Sequence, residues 1–172
     1  MKYFNGFSLQ KEEKLFDAYL TKGLYTVAGF SYGAQQALEY AYTSAHRIDK
    51  LILLSPAFFQ TQKASFIRAQ LRYFEAGKQA YVKQFLLNVA YPSNFTLDTY
   101  VDIDTKEALS TLLNYVWDKK KIETLIQRGI SIEVFIGTED KIIASQEALA
   151  FFSEFCTTYS MKHCGHLLME KI

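Results

Sequence analysis

The sequence predicts an α/β fold, with about five mainly parallel strands, helices on both faces of the sheet and one helical insertion. Three observations lead there. Short apolar runs alternate with helical stretches toward both ends of the chain, as strands of a parallel sheet buried on both faces require. A block at about 57–123 carries helical patterning and no convincing strand, and it interrupts that rhythm. A Gly-x-Ser-x-Gly pattern, Gly29 to Gly33, falls where an apolar strand gives way to a helix.

The elements follow in order. Lys2–Phe4 reads as a very short strand stopped by Asn5-Gly6. Ser8 is placed to cap a helix with Glu12 and Glu13 in its first turn. Leu15, Phe16, Tyr19 and Leu20 form its apolar stripe, and Gly23 ends it. Leu24–Ala28 is a short apolar strand. Tyr32–His46 reads as a helix, with Ala34, Ala37, Ala41 and Ala45 on a slim face that can lie close to a sheet. Lys50–Leu54 is a second buried strand, stopped by Ser55-Pro56. Beyond the helical block, Ile130–Ile136 is a β-branched strand, Gly137 to Asp140 a turn and Ala144–Phe155 a helix. Thr158–Lys162 is the last strand and leads into His163-Cys164-Gly165-His166. In such sheets the ligand crevice lies beyond the carboxyl ends of the strands, so an insertion there is expected to form a lid.

Length and composition bound the possibilities. The 172 residues suit one domain, 1–172, able to bury roughly two thirds of its unfolded surface without a disulfide or metal staple. A net charge of +1 gives no global argument for nucleic acid or membrane partners. Cys156 and Cys164 form no metal-ligand or disulfide-framework pattern, so no metal is expected and a reducing, cytoplasmic setting is. No apolar run suits a signal peptide or a membrane span. The sequon at Asn94-Phe95-Thr96 is then coincidental. A monomer without cofactor is expected.

The chemistry is carried by few residues. Ser31 sits between Gly29 and Gly33, where a sharp strand-to-helix turn exposes the hydroxyl and the helix N-terminus lends positive potential to a forming oxyanion. A serine hydroxyl is a poor nucleophile at neutral pH and needs a base. His166, after the last strand and behind Gly165, is the candidate, with His163 in reserve; His46 lies at the far end of the helix. The acid that orients the imidazole is expected at Asp140, at the end of the strand IEVFIG, with the adjacent Glu139 as alternative. Asp102 and Asp104 fall inside the expected lid, where a solvated surface role suits them. An oxyanion hole needs two backbone donors: the Tyr32 N–H, directly after the nucleophile, and the Phe7 N–H, in the Asn5-Gly6-Phe7 loop. That loop also reads as an ordinary turn.

These residues resemble the α/β-hydrolase superfamily across nearly the whole chain. Members often carry His-Gly-aromatic in the oxyanion loop, where this chain has Asn5-Gly6-Phe7. It departs from them in size, lacking the N-terminal strands and one strand–helix unit before the elbow. The family's strand order still leaves a contiguous five-stranded sheet once those units are removed. A narrower resemblance rests on MKYFNGF, GFSYG leading into ALEYAY, LILLSPAFF, IEVFIGTEDKI and the ending near HLL. Together these look like the minimal pimeloyl-carrier-protein methyl ester esterases of biotin synthesis in Helicobacter- and Campylobacter-like bacteria. The resemblance implies hydrolysis of pimeloyl-[acyl-carrier protein] methyl ester to methanol and the free ω-carboxylate.

An acidic carrier protein calls for basic residues at the mouth of the site. Residues 57–90 hold Lys63, Arg68, Arg72, Lys78 and Lys83 against Glu75 alone, and Arg68 and Arg72 share a helix face. Phe66, Leu71 and Phe74 offer apolar surface for an acyl tunnel. The same basic face also suits plain solvation. The triad equally serves a general short-chain carboxylesterase or thioesterase, and a non-catalytic hydrolase-fold binding protein is the reading from another class.

Overall fold

The computed structural model describes residues 1–171. Its centre is a five-stranded parallel sheet whose strands lie side by side in chain order: β1 (Lys2–Phe4), β2 (Thr26–Phe30), β3 (Lys50–Leu54), β4 (Ser131–Gly137) and β5 (Thr157–Met161). This is the contiguous strand order that the resemblance to the α/β hydrolases implies. Every residue of β2 is buried, as is all of β3 after Lys50, which is why both read as unbroken apolar runs. The edges differ. β1 has three residues and β5 is mostly exposed and polar, so neither presents a long apolar edge to other chains.

α1 (Tyr32–Thr43) packs on β1, β2 and β3. Ala34, Ala37 and Ala41 form its buried stripe, whereas Ala45 and His46 lie past its end in exposed chain. α6 (Ser145–Ser153) packs on β4 and β5, burying Ala148 and Phe152. The sheet face away from α1 is covered more thinly. There Phe16 packs on Phe30 with ring centroids 4.7 Å apart, and Tyr19 on Phe135 at 5.2 Å.

That thin face corrects one expectation. Ser8 does not cap a helix: it has φ 58°, and the segment makes only a short 3-10 helix, Glu12–Phe16, preceded by Lys11. Glu12 lies in the first turn of that short helix, as the sequence places it, but turns inward and is buried. Phe16 and Leu20 do bury as the stripe requires. The strand expected at Leu24–Ala28 also moves two residues on. Leu24 is 89% exposed, and β2 starts at Thr26, where pairing to Lys50 of β3 begins.

Four α-helices follow β3: α2 (Ala64–Ala76), α3 (Lys78–Ala90), α4 (Lys106–Asn114) and α5 (Lys119–Gln127). The last straddles residue 123, the expected end of the insertion. It packs on α1, with Lys121 paired to Glu39 at 2.8 Å, and so belongs with the helices that cover the sheet. α2, α3 and α4 lie over the carboxyl ends of the strands, because Phe74 and Phe85 pack on Phe7, just past β1. Trp117 is buried; its indole N–H donates to the Ala57 carbonyl at 2.9 Å, and its ring meets Phe152 at 4.9 Å. That clip joins both ends of the α2–α4 block to α6.

Candidate active site

The turn from β2 into α1 is sharp because two glycines let backbone meet backbone. A Cβ on Gly29 would strike the carbonyl of Gly33, and one on Gly33 would strike the carbonyls of Phe4 and Asn5. Ser31, between them, is held at φ 54° and ψ −113°, a region L-residues rarely occupy and one that marks functional turns. Its N–H donates to the Leu54 carbonyl at 2.9 Å, and its own carbonyl accepts from Ala34 and Ala57. Gln35 of α1 is buried. Its amide donates to the carbonyls of Ala57 (3.0 Å) and Leu112 (3.1 Å), tying the elbow helix to the start of the insertion and to α4.

His166 reaches this serine from 135 residues away. Its Nε2 lies 2.8 Å from Ser31 Oγ, and its Nδ1 lies 2.6 Å from Asp140 Oδ2. The imidazole and the Asp140 carboxylate are both fully buried. Asp140 Oδ1 accepts two further N–H groups, Ile142 at 2.7 Å and Ile143 at 3.1 Å, so neither oxygen is left to rotate away. The Phe30 ring lies 5.1 Å from the imidazole. The alternatives fall elsewhere: His163 and Glu139 meet each other at 3.4 Å on the surface. His46 is exposed beyond α1.

Such a chain can move one proton. The serine hydroxyl can donate to the imidazole, and a carboxylate on the far nitrogen stabilises the cation that forms. Two backbone donors remain for developing negative charge. Among the described residues neither Phe7 N–H nor Tyr32 N–H has a protein acceptor. Among those residues, too, no group of three His, Cys, Asp or Glu side chains is arranged to hold a metal ion.

Sequence reading missed four contributors. Ser55 was a strand stop; it is buried, at φ 40°, and its hydroxyl donates to the His166 carbonyl at 2.6 Å, anchoring the histidine loop to the end of β3. Gln35 was an unremarked helix residue. Glu12 reads only as a first-turn acid near the helix dipole; it is buried and accepts the Gly6 N–H at 2.7 Å. Asp104 was a solvated surface group; its Oδ2 accepts the Ser8 N–H at 2.7 Å. No sequence signal announced these, because each depends on which way a side chain points in the folded chain.

An apolar cavity of about 600 Å³ lies among α2, α3, α4 and the acid turn, lined by Phe59, Phe66, Tyr81, Leu112, Leu113 and Ile142 among others. Of the three residues expected to line a tunnel, Phe66 does so. Phe74 is instead buried against Phe7 and Tyr81, and Leu71 lies outside the cavity lining. Lys63, Arg68, Arg72, Lys78 and Lys83 are all exposed, and Glu75 is paired with Lys106. No helix is long and apolar enough to cross a membrane, among the described residues.

Comparison with solved structures bears on the architecture. The chain superimposes on MenH from S. aureus with a TM-score of 0.60 at 13% identity, covering 95% of this chain and 85% of that one. The fold is that of the α/β hydrolases. BioG from Haemophilus influenzae shares this hydrolase fold with the chain at a TM-score of 0.52 and 12% identity, covering 96% and 87%. Naproxen esterase from Bacillus subtilis does so at 0.55 and 17%, covering 83% of this chain and 53% of the esterase. This hydrolase-fold chain thus spans about half the length of that carboxylesterase. No family model and no curated protein matches it in sequence.

Proposed function

We propose that the chain is a serine carboxylic-ester hydrolase in which Ser31 is the nucleophile, His166 the general base and acid, and Asp140 the orienting carboxylate. The observation that carries this is the buried, hydrogen-bonded line from Ser31 Oγ through both nitrogens of His166 to Asp140. Ser31 Oγ attacks the ester carbonyl as His166 Nε2 takes its proton. The N–H groups of Tyr32 and Phe7 receive the oxyanion. His166 then protonates the departing alkoxide, and water releases the acyl group by the same steps with the imidazole again as base.

The finer reading is that the ester is pimeloyl-[acyl-carrier protein] methyl ester. It rests on the resemblance of the sequence to the minimal esterases of that reaction, on an apolar cavity that meets the acid turn at Lys141 and Ile142 but is not lined by Ser31, Asp140 or His166, and on the exposed basic residues of α2 and α3. In this reading α2–α4 act as a lid. The distal methyl ester reaches Ser31 while the thioester stays at the lid mouth, where no nucleophile meets it. The enzyme works as a monomer in the cytoplasm. A general short-chain carboxylesterase is the second reading, favoured by a cavity whose lining names no particular acyl chain.

Two measurements test this. Ser31→Ala should lower ester turnover about 10⁴-fold or more and abolish labelling by a fluorophosphonate, with an unchanged circular dichroism spectrum. Near-normal hydrolysis by that variant would reject the nucleophile. Mass spectrometry of carrier-linked pimeloyl methyl ester should show loss of the methyl group with the thioester intact. Cleavage of p-nitrophenyl esters alone would leave the general esterase.

A further inference from the structure

Two carboxylates grip the loop after β1 from opposite sides. Beneath it, Glu12 Oε1 accepts the Gly6 N–H at 2.7 Å and the Tyr3 hydroxyl at 3.3 Å. On the side of the inserted helices, Asp104 Oδ2 accepts the Ser8 N–H at 2.7 Å, and the Asp104 N–H donates back to Ser8 Oγ at 3.1 Å. The neighbouring backbone joins in: Asp102 N–H donates to the Ser8 carbonyl at 3.0 Å, and Gln10 N–H to the Tyr100 carbonyl at 2.8 Å. Alternate N–H groups of the loop, at residues 6 and 8, are therefore taken. The one between them, at Phe7, is left without an acceptor among the described residues. Peptide groups are planar, so fixing the units on either side leaves the middle one little freedom to turn.

Glu12 is also an expensive way to hold a loop. It is fully buried, and its second oxygen, Oε2, has no partner among the described residues. An apolar residue in its place would leave the buried Gly6 N–H without its acceptor.

We infer that Glu12 and Asp104 are positioning residues for the oxyanion hole, aiming the Phe7 N–H at the reacting carbonyl, and that Asp104 makes this aim depend on where the inserted helices sit. The inference rests on the ester-hydrolase reading above. Neither carboxylate touches the substrate. Phe7 adds to the coupling, since its ring is packed between Phe74 of α2 and Phe85 of α3. A ligand that seats those helices thereby also sets the donor that stabilises its own transition state.

The test compares variants that keep an acceptor oxygen with variants that lose it. Glu12→Gln and Asp104→Asn retain an amide oxygen for the same N–H; Glu12→Leu and Asp104→Ala do not. For a small p-nitrophenyl ester, kcat should fall about tenfold to a hundredfold in the second pair, short of the loss from deleting an oxyanion donor outright. KM should barely move, and the first pair should stay within about threefold of the parent. Across all four, the affinity of a trifluoromethyl ketone, which forms a hemiketal oxyanion on the serine, should fall in step with kcat/KM. A merely structural role would lower the melting temperature without that parallel. Asp104 is only half-buried, so Asp104→Ala keeps the test open if Glu12→Leu does not fold. Wild-type kcat in a folded Asp104→Ala, or losses confined to KM, would overturn the inference. A parent protein that neither hydrolyses esters nor binds the ketone would instead remove the hydrolase reading beneath it.

Discussion

A hydroxyl, an imidazole and a carboxylate make a reactive group only when water and alternative partners are excluded, and the burial around Ser31 does both. The same exclusion has a cost at Glu12. Burial pushes its carboxyl above the usual carboxylate range, only partly offset by the Gly6 N–H and the Tyr3 hydroxyl, while neighbouring Glu13 pushes it further up. The folded chain therefore holds the Glu12 proton to higher pH than the unfolded chain does. Between those two values the native state binds more protons, so this residue's contribution to stability falls as pH rises through the window. Glu12→Gln removes that contribution. Thermal melts should show the variant more stable than the parent at pH 7, with the gap closing below the ordinary carboxylate range. A gap of constant size from pH 4 to 8 would contradict the buried charge. This gain in stability should come with near-parental kcat, because the amide oxygen still receives the Gly6 N–H.

Among the elements, α1 and the inserted helices divide the labour. α1 fixes Ser31, since its small face lets it lie against β1, β2 and β3 at backbone distance. α2, α3 and α4 make the apolar cavity. If that cavity takes the acyl chain, narrowing it should change selectivity more than chemistry. Leu113 is buried and contributes to the lining. Leu113→Phe should cut kcat/KM for p-nitrophenyl octanoate about tenfold relative to the acetate, the scale at which pockets discriminate by methylene. Equal effects on both esters would place the acyl chain elsewhere.

At the scale of the whole molecule, a sheet of five strands brings Ser31, His166 and Asp140 into one hydrogen-bonded line because all three loops leave the same end of it. β2 supplies Ser31, β4 leads to Asp140 and β5 leads to His166. Charge is also organised at this scale: the molecule is nearly neutral, yet five exposed cations gather on α2 and α3 and the residue before them. If they meet an acidic carrier protein, raising salt from about 50 to 500 mM should lower kcat/KM for a carrier-linked ester severalfold, as screening shortens their reach. A small ester should hardly respond. Equal salt sensitivity would assign the cations to solvation alone.

Sequence by itself pointed to the strand set and to Ser31, Asp140 and His166 as candidates, which the fold brings into one hydrogen-bonded line. Strands buried on both faces leave continuous apolar runs, and the elbow needs its glycines at fixed spacing around Ser31. The sequence left Glu139 and His163 open as alternatives; the fold pairs those two with each other at the surface and turns Asp140 and His166 toward Ser31. Only the tertiary structure decided the second layer: Glu12 turned inward beneath Gly6, Asp104 crossing to Ser8, Ser55 holding the His166 carbonyl and Gln35 joining Ala57 to Leu112. Polar side chains of this kind leave no periodic trace. Their roles depend on rotamers and on contacts across 6 to 111 residues of chain, which exist only once the sheet has brought those segments together.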